Sequence, residues 1–548
     1  MLLPPALLVA FFALQSPAAK PADDPKADGK PADAKPADAK PPEPLPKGFP
    51  KPDDPRGVLV KQAGALDGYV LLAPLRSKSI YIVDLDGKVA HTWETSNTPG
   101  ASTYLLPNGH ILRAGQVETN PRFHGGGIGG RIQELDWDGK VVWNFDLDSD
   151  LLTQHHDVKP LPNGNVLMIA WEYHSKAEAI AHGRMPDLVS DEGLWSEVLI
   201  EVQPSRPVGG AVVWMWRSWD HLVQDQDPKL PAYGKLEEHA GSIDINFDCR
   251  HLPKTESDEE KAKKEKLAKD MKSVGYAGDD DDRKKKKGPK PADAKPVDAK
   301  PADAKPADAK PDDKKPDDKG PHIEADWMHG NAVDYLPEHD LIVMSSPHMS
   351  EVFVIDHSTT TAEAATDKGG KWKHGGALLY RYGNARNYGL GEEKDRKLFY
   401  QHNVQFLPES KAGELHVIVY NNGAERPGGE YSSVDEIALP FDPKTGFKRD
   451  EGRAFGPDKP LWSYSEPEKF YSPFISGVQR LPNGDTLVCE GVKGRAFQVK
   501  PDGKIVWDFW SPLGGEVEPS KTGGRAPANA LFRATWLAKD NAALKGRL

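Results

Sequence analysis

Cysteine is nearly missing: the 548 residues contain two, Cys249 and Cys489. No disulfide framework and no thiolate metal site can be built from that pair. One disulfide or two buried thiols remain open. An excess of basic charge is also lacking. Lys and Arg number 71 against 83 Asp and Glu, a formal net charge of −12, which argues against nucleic acid as a partner. There is no glycine-rich phosphate loop ahead of a helix, so a nucleotide cosubstrate has no support. The one long apolar run is N-terminal, where "MLLPPALLVAFFALQSPAA" stays apolar for about 14 residues, short of a bilayer span. It has no basic n-region, yet the small residues near Ala18 and Ala19 fit a secretory cleavage site. The expectation is a signal peptide over 1–19, a secreted or periplasmic protein, and no stable membrane insertion after cleavage.

What the chain does have in quantity is Pro, Ala, Asp and Lys, concentrated in two stretches, 20–56 and 253–320, with "KPADAK" repeated in both. Such segments carry too little apolar surface to offset the entropy of ordering the backbone, and their regular prolines favour extended, solvated chain. Within the second, "ESDEEKAKKEKLAKDMKSV" has the composition of a short charged helix but no apolar face. Both stretches are expected to be disordered, one a stalk and one an insertion. They leave 57–252 and 321–548 as foldable chain, roughly 430 residues, too many for one ordinary core but not for a repeat architecture.

Repeats are present. "YLLPNGHILRAG" (104–115), "PLPNGNVLMIAWE" (160–172), "YLPEHDLIVMSS" (335–346), "FLPESKAGELHVIVYNNG" (406–423) and "RLPNGDTLVCEG" (480–491) are variants of one strand–turn–strand unit. Asp-Gly hairpins such as "IQELDWDGKVVWNF" (132–145) and "FQVKPDGKIVWDFW" (497–510) supply two more strands. Four antiparallel strands per unit is the pattern of a propeller blade. The class is therefore all-β, a six-bladed β-propeller, with seven blades as the alternative. The N-terminal blade lacks a leading strand of its own, and "LFRATWLA" (531–538) is expected to supply it and close the ring.

In such a ring the first strand of each blade lies nearest the axis. The residues five before each Leu-Pro pair are Ala101, His156, Asn331, His402 and Ser476, and His329 lies two before Asn331, on the same strand face. His155 should point the other way, and His124 reads as a loop residue. Convergent imidazoles serve two chemistries. His156, His329 and His402 are suited to ligating zinc, copper or iron. Alternatively, one neutral imidazole attacks an electrophile while another moves the proton, with the Asn331 amide on anionic oxygen. Residue types alone do not separate these.

The stretches "DWMHGNAVDYLPEHDLIVMSS", "EVFVIDHSTTTAEAA", "QHNVQFLP", "LHVIVYNNG", "YSSVDEI" and "FYSPFISGVQRLPNGDTLVCEG" resemble the bacterial arylsulfate sulfotransferases. These are secreted six-bladed propellers that use no nucleotide sulfate donor. The similarity runs from about Gly57 to the C-terminus, interrupted by 253–320. It implies no cofactor and no metal, with an aryl sulfate and a phenol as small-molecule partners. It also implies a sulfohistidine on His402 of the "QH" motif, a sulfuryl-site histidine at His156, and catalytic His329 and Asn331 in "DW-x-H-x-N". Tyr400, Trp327 and Trp171 flank these heads. There are two departures from the family pattern. Pro347 stands where the family carries an arginine for the sulfuryl oxygens, with His348 beside it on the other strand face, so Arg533 on the closing strand becomes the candidate cation. The β-rich N-terminal domain of some members is replaced here by the stalk, which leaves the oligomeric state unassigned. Two alternatives stay open: a metal-dependent enzyme ligated by His156, His329 and His402, and a non-catalytic binding propeller whose site has decayed at Pro347.

Overall fold

Each Leu-Pro unit forms the two inner strands of a sheet, and each Asp-Gly or related hairpin adds the outer two. This is seen in a computed structural model that describes residues 47–51, 53–117, 120–248, 258–276, 324–408, 414–515 and 529–548. The expected signal peptide over 1–19, the expected stalk up to residue 46, most of the expected insertion and Cys249 lie outside the described residues. Cys489 is buried and unpaired.

Among the described residues six antiparallel sheets form the blades of one propeller. Blade one takes Leu531–Leu537 as its inner strand, followed by Tyr69–Pro74, Ser79–Asp84 and Val89–Glu94. Blade two is Pro99–Leu105, Ile111–Gln116, Gly130–Leu135 and Val141–Asp146. Blade three is Leu152–Pro160, Val166–His174, Leu194–Pro204 and Gly210–Arg217. Blade four is Ala332–Leu336, Leu341–Ser346, Glu351–Asp356 and Tyr380–Tyr382. Blade five is His402–Phe406, His416–Asn421, Ser433–Ala438 and Trp462–Ser465. Blade six is Ser476–Arg480, Thr486–Glu490, Arg495–Val499 and Ile505–Trp510.

The ring closes twice. Leu531–Leu537 pairs with Tyr69–Pro74, in the register Tyr69 to Leu537, as the sequence leads one to expect. Gly57–Lys61 then adds a fifth strand to the outer edge of blade six, pairing Gly57 with Trp510. That second latch covers an edge that would otherwise expose unpaired backbone groups.

Apolar positions of facing sheets interdigitate at every boundary. Trp214 and Phe353 pack between blades three and four, for example, and Leu72 and Trp507 between blades one and six. The aromatic residue on each outer strand ties its blade to the next. Trp93 donates to Asp136 O, Trp143 to Gly209 O, Trp216 to Gly376 O, Trp462 to Pro501 O and Trp507 to Leu85 O, each at 2.7–3.0 Å. In blade four Tyr380 does the same through its hydroxyl, to Gly456 O at 2.7 Å. An indole that buries its body and still satisfies its N–H suits a boundary between two sheets.

Part of the expected disorder is structured. Phe49 and Arg56, placed in the stalk, lie on the ring: Phe49 meets Phe474 edge-on, and Arg56 donates to Lys493 O. Asp258–Ser273, placed in the insertion, is an α-helix. Among the described residues no helix is long and apolar enough to cross a membrane.

Trp507→Ala is expected to destabilise the fold by about 3–5 kcal/mol through the cavity it leaves. Trp507→Phe should lose about 1 kcal/mol with the hydrogen bond, alongside a smaller packing loss; urea unfolding measures both. A second tie carries a pH signature. His357 contacts Asp340 Oδ1 at 2.7 Å and Glu201 Oε2 at 2.9 Å, linking blade four to blade three. Burial opposes its charge, but the two carboxylates outweigh burial and raise its pKa from 6.5 to about 9. Its contribution is complete below the unfolded value and is lost as pH rises through the folded one. The stability gap between wild type and His357→Gln should therefore be widest near about pH 6 and close by about pH 10.

Candidate active site

The blade heads depart from regular strand geometry. In blade three the ladder slips between Met168 and Ile169, whose partners are Val158 and His155, leaving His156 and Asp157 outside it. Blade five gains an extra residue between His402 and Gln405. His156, His329, Tyr400 and Asn403 adopt left-handed backbone, with φ of 51–54°. Bulges re-aim side chains, and strained non-glycine backbone persists where the surroundings hold it. The slip corrects one expectation. His155 does not turn away from His156; its Nδ1 lies 2.7 Å from His156 Nδ1 and its Nε2 2.9 Å from Glu197 Oε2.

The predicted residues come together on the axis. The His156 and His329 ring centroids are 4.6 Å apart. Phe532 lies 6.0 Å from His156 and 6.4 Å from His402. His402 donates its Nδ1–H to Asn422 Oδ1 at 2.9 Å and to Tyr400 O at 3.1 Å. That fixes the tautomer and leaves the Nε2 lone pair pointing away, buried and with no partner. Asn331 donates through Nδ2 to Gln401 O at 2.9 Å, and its Oδ1 is likewise buried without a partner. Arg533 reaches across the axis, donating to Tyr104 Oη at 2.9 Å, Asp157 Oδ2 at 2.7 Å and Asn331 O at 3.3 Å.

The flanking residues pack and support rather than face a substrate. Trp171 stacks on His155 at 4.0 Å and donates to Asp326 Oδ1 at 3.0 Å, so it supports the histidines. Trp327 packs in the core against Phe247. Strand alternation ends at Ser346, so His348 does not face away: its ring stacks on His329 at 4.8 Å. Pro347 O accepts from Ser350 N in the turn that follows. His124, on its loop, pairs with Glu192. Ala101 and Ser476, at the equivalent heads, are buried.

One residue at the centre comes from the segment expected to be disordered. Tyr276 places its hydroxyl 2.5 Å from His156 Nε2 and 3.1 Å from His329 Nε2. It arrives there because helix Asp258–Ser273 ends in a Schellman turn. Gly275, at φ 79°, donates to Lys272 O, and Tyr276 N donates to Met271 O at 3.1 Å. Arg76 caps the same end by donating to Lys272 O. Val274 and Tyr276 then bury among Ala101, Phe474, Ile475 and Phe532. Gly126 leaves the space for the phenol: a Cβ there would stand 2.3 Å from Tyr276 Cε1. The missed signal is local: an apolar Val-Gly-Tyr end, with glycine at the helix stop, on an otherwise charged helix. The whole cluster is closed, with His156 at 0%, Tyr276 at 1%, His402 at 3% and His329 at 7% exposure.

Charge is distributed unevenly over the imidazoles. Burial alone would lower the pKa of His329, but Asp326, 2.5 Å from its Nδ1, outweighs that and raises it. Asp326 is itself held down to about 2: burial opposes this, and His329 overcomes it. Burial and then the neighbouring His329 charge lower His402 to about 3 and push His156 well down. These shifts favour a proton on His329 over His156 and His402, as expected where like charges disfavour each other. The Tyr276 hydroxyl bridges His329 Nε2 and His156 Nε2. Burial holds that phenol well above its ordinary pKa. Among the described residues no group of three or more His, Cys, Asp or Glu side chains is arranged to hold a metal ion. Asp326, Glu197, Asn422 and Gln401 were not singled out as sequence candidates, since each acts through a histidine or Asn331 rather than by blade position.

A family profile described as Arylsulfotransferase (ASST) matches residues 69–508. No curated protein matches the chain. Similar solved structures include a protein of unknown function from Bacteroides caccae, 10% identical, covering 86% of this chain and 99% of that one at a TM-score of 0.36. A periplasmic gluconolactonase of Pseudomonas aeruginosa is 10% identical, covering 82% and 98% at 0.35. AztD from Citrobacter koseri is 8% identical, covering 86% and 99% at 0.31.

In Asp326→Asn the carboxylate that raises His329 is removed while burial remains, so the His329 pKa should fall below its wild-type value. Imidazole 15N NMR on histidine-labelled protein checks this. The same spectra should show wild-type His402 neutral, with its proton on Nδ1, down to about pH 4.

Proposed function

The chain belongs to the arylsulfotransferase family, and we propose that it moves a sulfuryl group from an aryl sulfate to a phenol through a sulfohistidine on His402. The observation that carries this reading is the His402 Nε2 lone pair, buried without a partner beside His329, whose Nε2 lies within hydrogen-bond distance of a phenolic oxygen. A neutral imidazole is the nucleophilic form, and the low His402 pKa keeps it neutral at any working pH.

In the donor half-reaction His402 Nε2 attacks sulfur and the aryl S–O bond breaks. His329 Nε2–H protonates the departing phenolate, with Asp326 holding the ring from behind. His156 and Asn331 line the space around the sulfuryl group. The acceptor phenol then takes the vacated position, gives its proton to neutral His329, and the N–S bond breaks in its favour. Tyr276 marks where an aryl ring lies: its own ring stacks on Phe474 at 5.7 Å and on Phe532 at 6.5 Å. Those two residues, rather than Trp171 or Trp327, form the aryl slot.

Pro347 leaves the position of the family arginine uncharged. Positive charge for the sulfate comes instead from His329 and from Arg533, whose guanidinium is shared with Asp157. Export through the 1–19 leader places the reaction in a secreted or periplasmic setting.

Incubation with 4-nitrophenyl sulfate and phenol should release nitrophenol, and mass spectrometry should find one SO3 on the protein. His402→Ala should lose the adduct and lower turnover by on the order of 10⁴ or more. No nitrophenol and no adduct in wild type would sink this reading. Because the donor step needs protonated His329, its rate should fall as pH rises through the raised His329 pKa. In Asp326→Asn that limb moves to lower pH, as a pH–rate profile would record.

A further inference from the structure

A phenol is the acceptor in this chemistry, and the chain holds one of its own at the reaction centre. Tyr276 lies at the end of helix Asp258–Ser273, in the segment between blades three and four. Its hydroxyl bridges His156 Nε2 and His329 Nε2, and its ring centroid is 6.5 Å from that of His402. The seat is specific. Gly127 N donates to Tyr276 O at 2.9 Å, the Schellman turn fixes the approach, and Phe474 and Phe532 flank the ring. A side chain that only filled space would not need its oxygen between two imidazoles.

We propose that Tyr276 is a sulfuryl acceptor within the chain, converted to a tyrosine O-sulfate by transfer from His402. The proposal rests on the sulfohistidine reading above. Donor and Tyr276 take turns, because the closed cluster has no room for both. A donor ArO–SO3⁻ gives its sulfuryl group to His402 Nε2, and the phenol ArOH leaves with the His329 proton. Tyr276 then reseats. Its Oη forms a bond to sulfur while the N–S bond breaks and its electron pair returns to His402 Nε2. The Tyr276 proton passes to His329 Nε2, which gave its own proton to the departing phenol and lies 3.1 Å from Tyr276 Oη. The net change is ArO–SO3⁻ plus Tyr–OH giving ArOH plus Tyr–OSO3⁻. Tethering raises the local concentration of this phenol above that of free acceptors at ordinary concentrations.

The test treats full-length wild type, Tyr276→Phe and Gly126→Ala with 4-nitrophenyl sulfate and no added acceptor, then maps SO3 by peptide mass spectrometry. Turnover with added phenol is measured in parallel. Wild type should carry SO3 on the peptide containing Tyr276. Tyr276→Phe should carry it on the His402 peptide alone. Gly126→Ala, whose Cβ intrudes on the Tyr276 ring, should show about tenfold less ester at residue 276 relative to the SO3 carried on His402. SO3 on His402 alone in wild type, with normal turnover, would overturn the proposal and spare the sulfohistidine. If no variant releases nitrophenol or gains SO3, the sulfohistidine reading fails and the proposal fails with it.

Discussion

Everything at the centre of this molecule depends on closure of the ring. The residues that meet on the axis come from blades one, three, four and five, and one strand from the far end of the chain, Leu531–Leu537, completes the circle by pairing with Tyr69–Pro74. Without that pairing, blade one would lack its inner strand and the axis would open. The boundary aromatics spread the same constraint around the ring. Each outer-strand Trp or Tyr donates to the hairpin of the next blade, so every sheet fixes the tilt of its neighbour. One such bond is worth about 1 kcal/mol, small beside the burial of the ring that makes it. Their directional repetition is what keeps six sheets in step.

Within that frame a single carboxylate sets the chemistry. Three imidazoles in one water-poor space cannot all be charged. Asp326 selects His329 for the proton, and burial with that charge keeps His156 and His402 neutral. The result is an acid and a nucleophile side by side in the same residue type, distinguished only by their neighbours. Trp171 in turn fixes Asp326, and His155 stacks on Trp171. The proton assignment therefore extends well beyond the groups that would touch a substrate.

The segment between blades three and four changes how the site is understood. Most of the 253–320 insertion lies outside the described residues, but its described part, helix Asp258–Ser273 and the turn to Tyr276, delivers a phenol to the point where His156 and His329 converge. A composition dominated by Lys, Glu and Asp says that the helix body is solvated, and it is. It says nothing about the residues that follow, of which Val274 and Tyr276 bury.

Sequence alone determined the periodic part: the strand–turn–strand units, six blades, the closing strand, and the in-register heads His156, His329, Asn331 and His402. Those features follow from local alternation and turn chemistry, which any short window of chain carries. Tertiary structure alone decided what depends on bulges and on contacts between distant segments. A slipped ladder turned His155 inward, the end of Ser346's strand brought His348 onto His329, and Arg533 found Asp157 across the axis. The protonation pattern belongs to the same class. A pKa is set by what surrounds a group in space, and Asp326, Asn422 and Tyr276 become neighbours of those imidazoles only when the ring has closed.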